Sequence, residues 1–341
     1  MALTLSSARQ ATAHRDPSAA TPPISTAPAS TASASPPAVR GPNHFADLLV
    51  VTAVLAAMPY LVLKTMWLAG SRVGHVSADA AAEAGELRHV IGNAVTIALV
   101  LLSFALALAW RSSAVRKLPA AVVLVPAFIG TGLLAPIVTG VPLGFVVEAV
   151  VTGASPLASA EGLHPVVYAV VYGGFVMVGA AHALLFAGSA RRRWAPVLER
   201  VRAPRGFFVA EASVALVLAG LVMGAWAIAG PGVFGQGASG PPGFESITQR
   251  FLLGATAVLL AGGGLTPLLG VLGRRAPRAR FALVAVQWVG IATGAVAGLT
   301  HLALSASGTA SPVLIAVALA GTTAAVTLAA AWARQLSEAV E

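Results

Sequence analysis

Eight apolar runs, each long enough to cross a bilayer, dominate this chain of 341 residues. They lie at about 45–70, 89–110, 119–141, 165–189, 207–230, 249–273, 281–305 and 312–333. A spanning helix needs roughly 20 apolar residues. Only 10% of the residues are charged, against about 25% in a soluble domain. Backbone groups facing lipid must find their partners within the segment, which leaves helices as the spanning element for runs of this length. The expected fold class is therefore all-α, a polytopic integral membrane protein with eight transmembrane helices.

The basic residues orient the spans. Seventeen Lys and Arg fall in the N-terminal tail, the 2–3, 4–5 and 6–7 loops and the C-terminus. The opposite side receives only Arg72, Arg88 and Arg250, and Lys64 lies within the first run. Basic loops stay in the cytoplasm, so both termini are expected there, in a bacterial cytoplasmic membrane. The net charge of +9 is accounted for by this bias and implies no nucleic acid. The partners expected are the lipid bilayer and a small-molecule or protein partner that the sequence does not identify.

Residues 1–44 are of another kind. They contain seven Pro, eleven Ala and twelve Ser or Thr, and no aromatic residue. Such a segment buries too little apolar surface to offset its ordering entropy, so a disordered cytoplasmic tail is expected, followed by an uncleaved first span. Residues 142–152 are apolar but too short to cross, and Glu148 interrupts them. An interfacial or re-entrant helix is expected there.

The two halves of the chain resemble each other. Trp67 and Gly70 close the first span as Trp226 and Gly230 close the fifth. Arg88-x-x-x-Gly92 opens the second span as Arg250-x-x-x-Gly254 opens the sixth. Thr131-Gly132 and Thr293-Gly294 occupy the third and seventh. This order suggests two parallel four-helix repeats, 45–190 and 207–334, related by an axis along the membrane normal. In that alignment Lys64 faces Met223, so the charge breaks the symmetry.

The stretch Pro59-Tyr60-Leu-Val-Leu-Lys64-Thr-Met-Trp67-Leu-Ala-Gly70-Ser-Arg-Val-Gly74 resembles the first-span signature of uncharacterised multi-pass membrane proteins of high-GC actinobacteria. The Ala- and Arg-rich composition is similar to theirs. The resemblance implies a source and carries no known activity.

Gly290, Gly294 and Gly298 recur four apart in the seventh run, which lets neighbouring backbones approach. Gly262-Gly263-Gly264 and Gly173-Gly174 read the same way. Pro59, Pro126, Pro136 and Pro267 lie inside runs and imply kinks.

Ionisable groups at membrane depth are costly and often functional. A substrate site between the halves would draw on Lys64, Arg88, Arg250, Gln287 and His301. Glu148 is the acid nearest to Lys64 by depth. Lys64 reads equally as an anchor whose tip snorkels to the interface. Gln287 is expected to hydrogen-bond across helices. His89, His164, His301 and Glu148, with Glu86 and Glu161, share the outer leaflet and have the chemistry of a divalent metal site, although no local ligand motif joins them. His182 and Glu211 share a depth near the inner face, where an imidazole and a carboxylate could pair structurally or relay protons.

Several classes are excluded. The chain has no cysteine, hence no disulfide, thiolate metal site or cysteine nucleophile. It has no phosphate-binding loop, nucleophile elbow or His-Glu-x-x-His motif. His182 and His301 lie in opposite leaflets and cannot share one haem iron. No cofactor is expected. Three functions remain open: a permease-like transport protein, a non-transporting sensor, immunity or accessory subunit, and a membrane enzyme using the outer His/Glu set.

Overall fold

The computed structural model describes residues 44–83, 85–112, 115, 117–153, 162–200, 204–234, 246–269, 277–304 and 310–340. The expected tail lies outside them, apart from His44. The described chain is all-α, with nine helices: α1 (His44–Leu68), α2 (Ala78–Glu83), α3 (Leu87–Arg111), α4 (Ala120–Thr152), α5 (Pro165–Arg200), α6 (Phe207–Ala229), α7 (Ile247–Leu268), α8 (Pro277–Leu304) and α9 (Pro312–Val340). All except α2 are long and apolar enough to span a membrane. Exposed leucines and valines such as Leu55, Val95, Leu101 and Val258 cover their outward faces, as a lipid-facing surface requires.

Local chemistry sets several helix ends. Pro165, Pro277 and Pro312 open α5, α8 and α9, where the missing N–H has no partner to lose. Ser246 caps α7 in a reciprocal pair with Gln249. Gly153 ends α4 at φ 63° and donates to Ala149 O, a left-handed stop that glycine adopts freely.

One expectation is corrected. Residues 142–152 form no separate interfacial or re-entrant helix; they continue α4 to Thr152. At 1.5 Å per residue its 33 residues reach about 50 Å, well past a hydrocarbon core of about 30 Å. The extension is held by packing. Gly140, Gly144 and Glu148 share one face at four-residue spacing and are all buried. A Cβ at Gly140 would meet the Leu252 Cα at 2.8 Å, and one at Gly144 the Thr248 Cα at 2.7 Å. Pro142 sits inside this helix without ending it.

In the second half, α6, α7, α8 and α9 close a ring, each packed on its two neighbours. Leu216, Leu260, Ile291, Ala325 and Leu328 fill its centre. In the first half α1 packs on α3 and α5, and α5 on α4, but α3 touches α4 only lightly. The aligned pair α7 and α8 packs closely, so the halves differ at this joint. α4 joins the halves by lying against α7 and α8. The Gly290 stripe serves three neighbours rather than one: Gly290 meets α7 at Gly263, Gly294 meets Leu216 and Ala325, and Gly298 meets Ala318.

One end of the bundle is rich in arginine. There Arg111 pairs with Asp47, Arg193 donates to Val115 O and Leu118 O at 2.7 and 2.8 Å, and Arg191 lies 4.4 Å from the Phe281 ring centre. The other end carries α2.

Candidate functional site: a lysine among aromatic rings

Tyr60, Lys64 and Trp67 stand at i, i+4 and i+7 on α1, which places them on one helical face. That face looks toward α3 and α5. The Lys64 Nζ donates to Asn93 Oδ1 on α3 at 2.8 Å. It lies 4.6 Å from the Trp67 ring centre and 5.3 Å from that of Tyr60. Asn93 is 5% exposed. The ammonium is therefore held inward by a buried amide. This geometry is opposite to that of a snorkelling anchor, whose tip would turn to the interface.

α5 supplies the far wall. Tyr168, Tyr172 and Phe175 repeat the same spacing, with Tyr168 stacked on Tyr172 at 6.2 Å and Tyr172 edge-on to Phe175 at 6.3 Å. Tyr60 meets Phe175 edge-on at 4.7 Å. The chain has three tyrosines, and all three are here. α1 and α5 approach closely because a Cβ at Gly174 would sit 2.5 Å from Ala56 O; only glycine fits. A ring beside a cation contributes about 0.5–2 kcal/mol, more as water is excluded.

Loops close the α2 end of this ring cluster. Trp67 Nε1 donates to Val73 O at 2.8 Å, and its ring lies 5.1 Å from that of His75. The segment then pairs with the entry to α5: Val76 N donates to Gly162 O at 3.1 Å and His164 N to Gly74 O at 2.7 Å. Gly74, at φ 86°, makes the turn. An open apolar groove of about 380 Å³ runs along Leu61, Val62, Thr65, Met66 and Ala69. By helical position it lies on the other side of α1 and does not reach Lys64.

Among the described residues Lys64 makes no ion pair. Glu148, its expected partner by depth, is engaged elsewhere. Its Oε2 accepts from Thr248 N at 2.9 Å and Thr248 Oγ1 at 2.6 Å. A buried carboxylate on α4 thus caps the first turn of α7, where the helix dipole favours negative charge.

The remaining site residues are dispersed. Gln287 is 1% exposed in the second-half core, and neither its Nε2 nor its Oε1 has a partner among the described residues; the expected cross-helix bond is not made. Arg250 faces outward on α7. His301 occupies the last turn of α8. The Arg88 side chain lies outside the described residues. Among the described residues no hydrogen bond or ion pair joins Lys64 to Arg250, Gln287 or His301.

The metal expectation fares likewise. No group of three His, Cys, Asp or Glu among the described residues could hold an ion, so His89, His164, His301 and Glu148 are not brought together; Glu161 lies outside the described residues. His164 Nδ1 accepts from Val166 N at 3.3 Å, at the start of α5. His182 does not pair with Glu211. Its Nδ1 meets Val178 O and its Nε2 meets Ser103 O, both at 2.9 Å. A neutral ring can donate to only one of these acceptors at a time. Glu211 is exposed on α6, which has no packed interface with α5.

Sequence reasoning overlooked Asn93 and the α5 tyrosines. Both were findable. Asn93 lies six residues into α3 and Lys64 four residues before the end of α1, so antiparallel neighbours bring them to one depth. No protein-family model matches this chain, and no curated protein or solved structure matches it.

Proposed function

We propose that this polytopic protein is permease-like: it moves a small solute across a bacterial cytoplasmic membrane, using the Lys64 pocket as its outward-facing binding position. In this reading the arginine-rich end and both termini are cytoplasmic. The bias of seventeen basic residues to three supports that orientation, and the first-span signature supports an actinobacterial source. Reporter fusions after residues 195 and 277 should report cytoplasm, and after 80 and 240 the exterior; a swapped pair would reverse the assignment.

The observation that carries the transport reading is the unmatched ammonium. A Lys in the hydrocarbon costs about 2.5–3.5 kcal/mol. The aligned position in the second half has the apolar Met223, buried at 1% exposure, so the scaffold does not require a charge there. The exposed Arg72, just beyond α1, already supplies an anchor. A cation retained at that cost, turned inward and unpaired by any described acid, fits a group that meets its counter-charge from outside. The test is saturable uptake of small anions into proteoliposomes containing the purified chain. Failure of every anion, with the protein folded, would reject the reading.

The non-transporting reading, a sensor, immunity or accessory subunit, has one observation in its favour. The halves meet through glycine contacts, Gly132 on Ala292 and Gly140 on Leu252, which bring their backbones together and leave no room for a solute at those points. The His/Glu enzyme has no comparable support.

A further inference from the structure

We infer that the Lys64–Asn93 pair, with the rings beside it, takes a monocarboxylate with an apolar body. This rests on the transport reading and adds the chemical class of the ligand.

The donors set the head group. A lysine ammonium has three protons, and Lys64 gives one to Asn93 Oδ1. The Asn93 amide nitrogen makes no hydrogen bond among the described residues. Two uncommitted N–H sources therefore stand on either side of one short polar contact. Their complement is a group that only accepts, with two oxygens close together, as in a carboxylate.

Charge sets the valence. Among the described side chains Lys64 is the one lysine or arginine against these rings, and Arg72, just beyond α1, is exposed on the loop. A dianionic phosphate would keep a full uncompensated charge at membrane depth, which is unfavourable. Phosphate sites also favour the guanidinium fork, which no described side chain beside Lys64 supplies. A monoanion leaves the pair neutral.

The walls set the body. Tyr60 and Trp67 flank the ammonium, and Phe175 and then Tyr172 follow behind Tyr60 in an edge-to-face chain. Such rings favour flat or aliphatic apolar groups. Two sources share this chemistry: a water-soluble aromatic acid arriving past the paired Gly74–Val76 and Gly162–His164 segments, or a fatty acid arriving from the bilayer.

The test is equilibrium binding by calorimetry with the full chain in phosphatidylcholine nanodiscs. Three probes are titrated: benzoate from the aqueous phase, oleate supplied in the bilayer, and inorganic phosphate. At least one carboxylate should saturate at one site, and phosphate should bind more weakly than it. Benzoate identifies the aqueous source and oleate the bilayer source. Lys64→Met should weaken carboxylate binding by at least about tenfold, while Lys64→Arg retains most of it. Asn93→Asp guards against a misfolded lysine variant. It places a carboxylate beside Nζ with almost no change of shape, and should abolish binding while raising the melting temperature. The proposal is overturned if neither carboxylate saturates, if phosphate binds more tightly than both, or if Lys64→Met or Asn93→Asp binds as the parent does. Because no gradient is involved, binding without uptake in proteoliposomes would reject transport and leave the ligand class standing. Uptake of anions unaffected by Lys64→Met would do the reverse.

Discussion

Replacing Gly290 by alanine asks whether helix contacts of this bundle are set by backbone or by side chains. A Cβ at Gly290 would lie 2.3 Å from Leu259 O, 2.5 Å from Gly263 Cα and 2.6 Å from Gly263 N. Favourable carbon contacts lie at about 3.5–4.0 Å, so α7 and α8 must part by about 1 Å. All three obstacles are main chain and cannot turn aside. Overpacking of this kind costs about 1–3 kcal/mol, against a gain of about 1 kcal/mol from replacing glycine inside a helix. The net expectation is a loss of about 1 kcal/mol, rising toward about 2 because main-chain obstacles cannot yield. Gly294→Ala meets first the tip of Leu216, at 2.6 Å, which can rotate, so its cost should be smaller. Gly92→Ala and Gly130→Ala meet nothing within 4 Å and should be neutral or stabilising by up to about 1 kcal/mol. Unfolding by sodium dodecyl sulfate from mild micelles, followed by circular dichroism, gives the order. If Gly290→Ala unfolds at the same midpoint as Gly92→Ala, the close approach of α7 and α8 is wrong.

Two further predictions probe the packing. Glu148→Ala should destabilise by about 2–3 kcal/mol, because it removes a charged acceptor from two donors of Thr248; Glu148→Gln, which keeps an oxygen, should cost less, and equal midpoints for all three proteins would refute the cap on α7. The absence of cysteine offers a clean background for a disulfide. Cysteines at Gly224 and Ala257, whose Cβ positions lie 3.6 Å apart, fall within the bridging range of about 3.5–4.5 Å; oxidation should link α6 to α7, whereas cysteines at Gly173 and Ala257 should stay reduced.

The spans were readable because hydrocarbon thickness imposes a length, and sequence alone carries that length. Residues 142–152 were misread for the same reason: the length rule treats a helix as ending with the hydrocarbon, whereas α4 continues on glycine contacts with α7. The glycine stripe of α8 was readable as a packing surface, but not that it turns through three neighbours, since that depends on where the ring closes. Lys64 stood out as a lone charge. Its partner did not, because depth was compared only among ionisable residues, and Asn93 is neutral. His182 and Glu211 show the converse error. Depth placed them together, but depth says nothing of helix face or adjacency, and Glu211 faces outward on a helix that does not pack on α5. Glu148 illustrates both limits, being at a suitable depth for Lys64 but committed to Thr248 across the α4–α7 contact.

The most direct measurement compares Lys64→Gln, Lys64→Met and Lys64→Arg for anion uptake and for stability in the same preparations. The account predicts that the Gln and Met variants insert, unfold within about 2 kcal/mol of the parent, because the lost hydrogen bond and ring contacts are offset by relief of the charge's burial cost, and lose uptake by at least about tenfold, while Arg retains a measurable share. Full uptake by both the Gln and the Met variants would contradict it, and would leave Lys64 a structural residue among its rings.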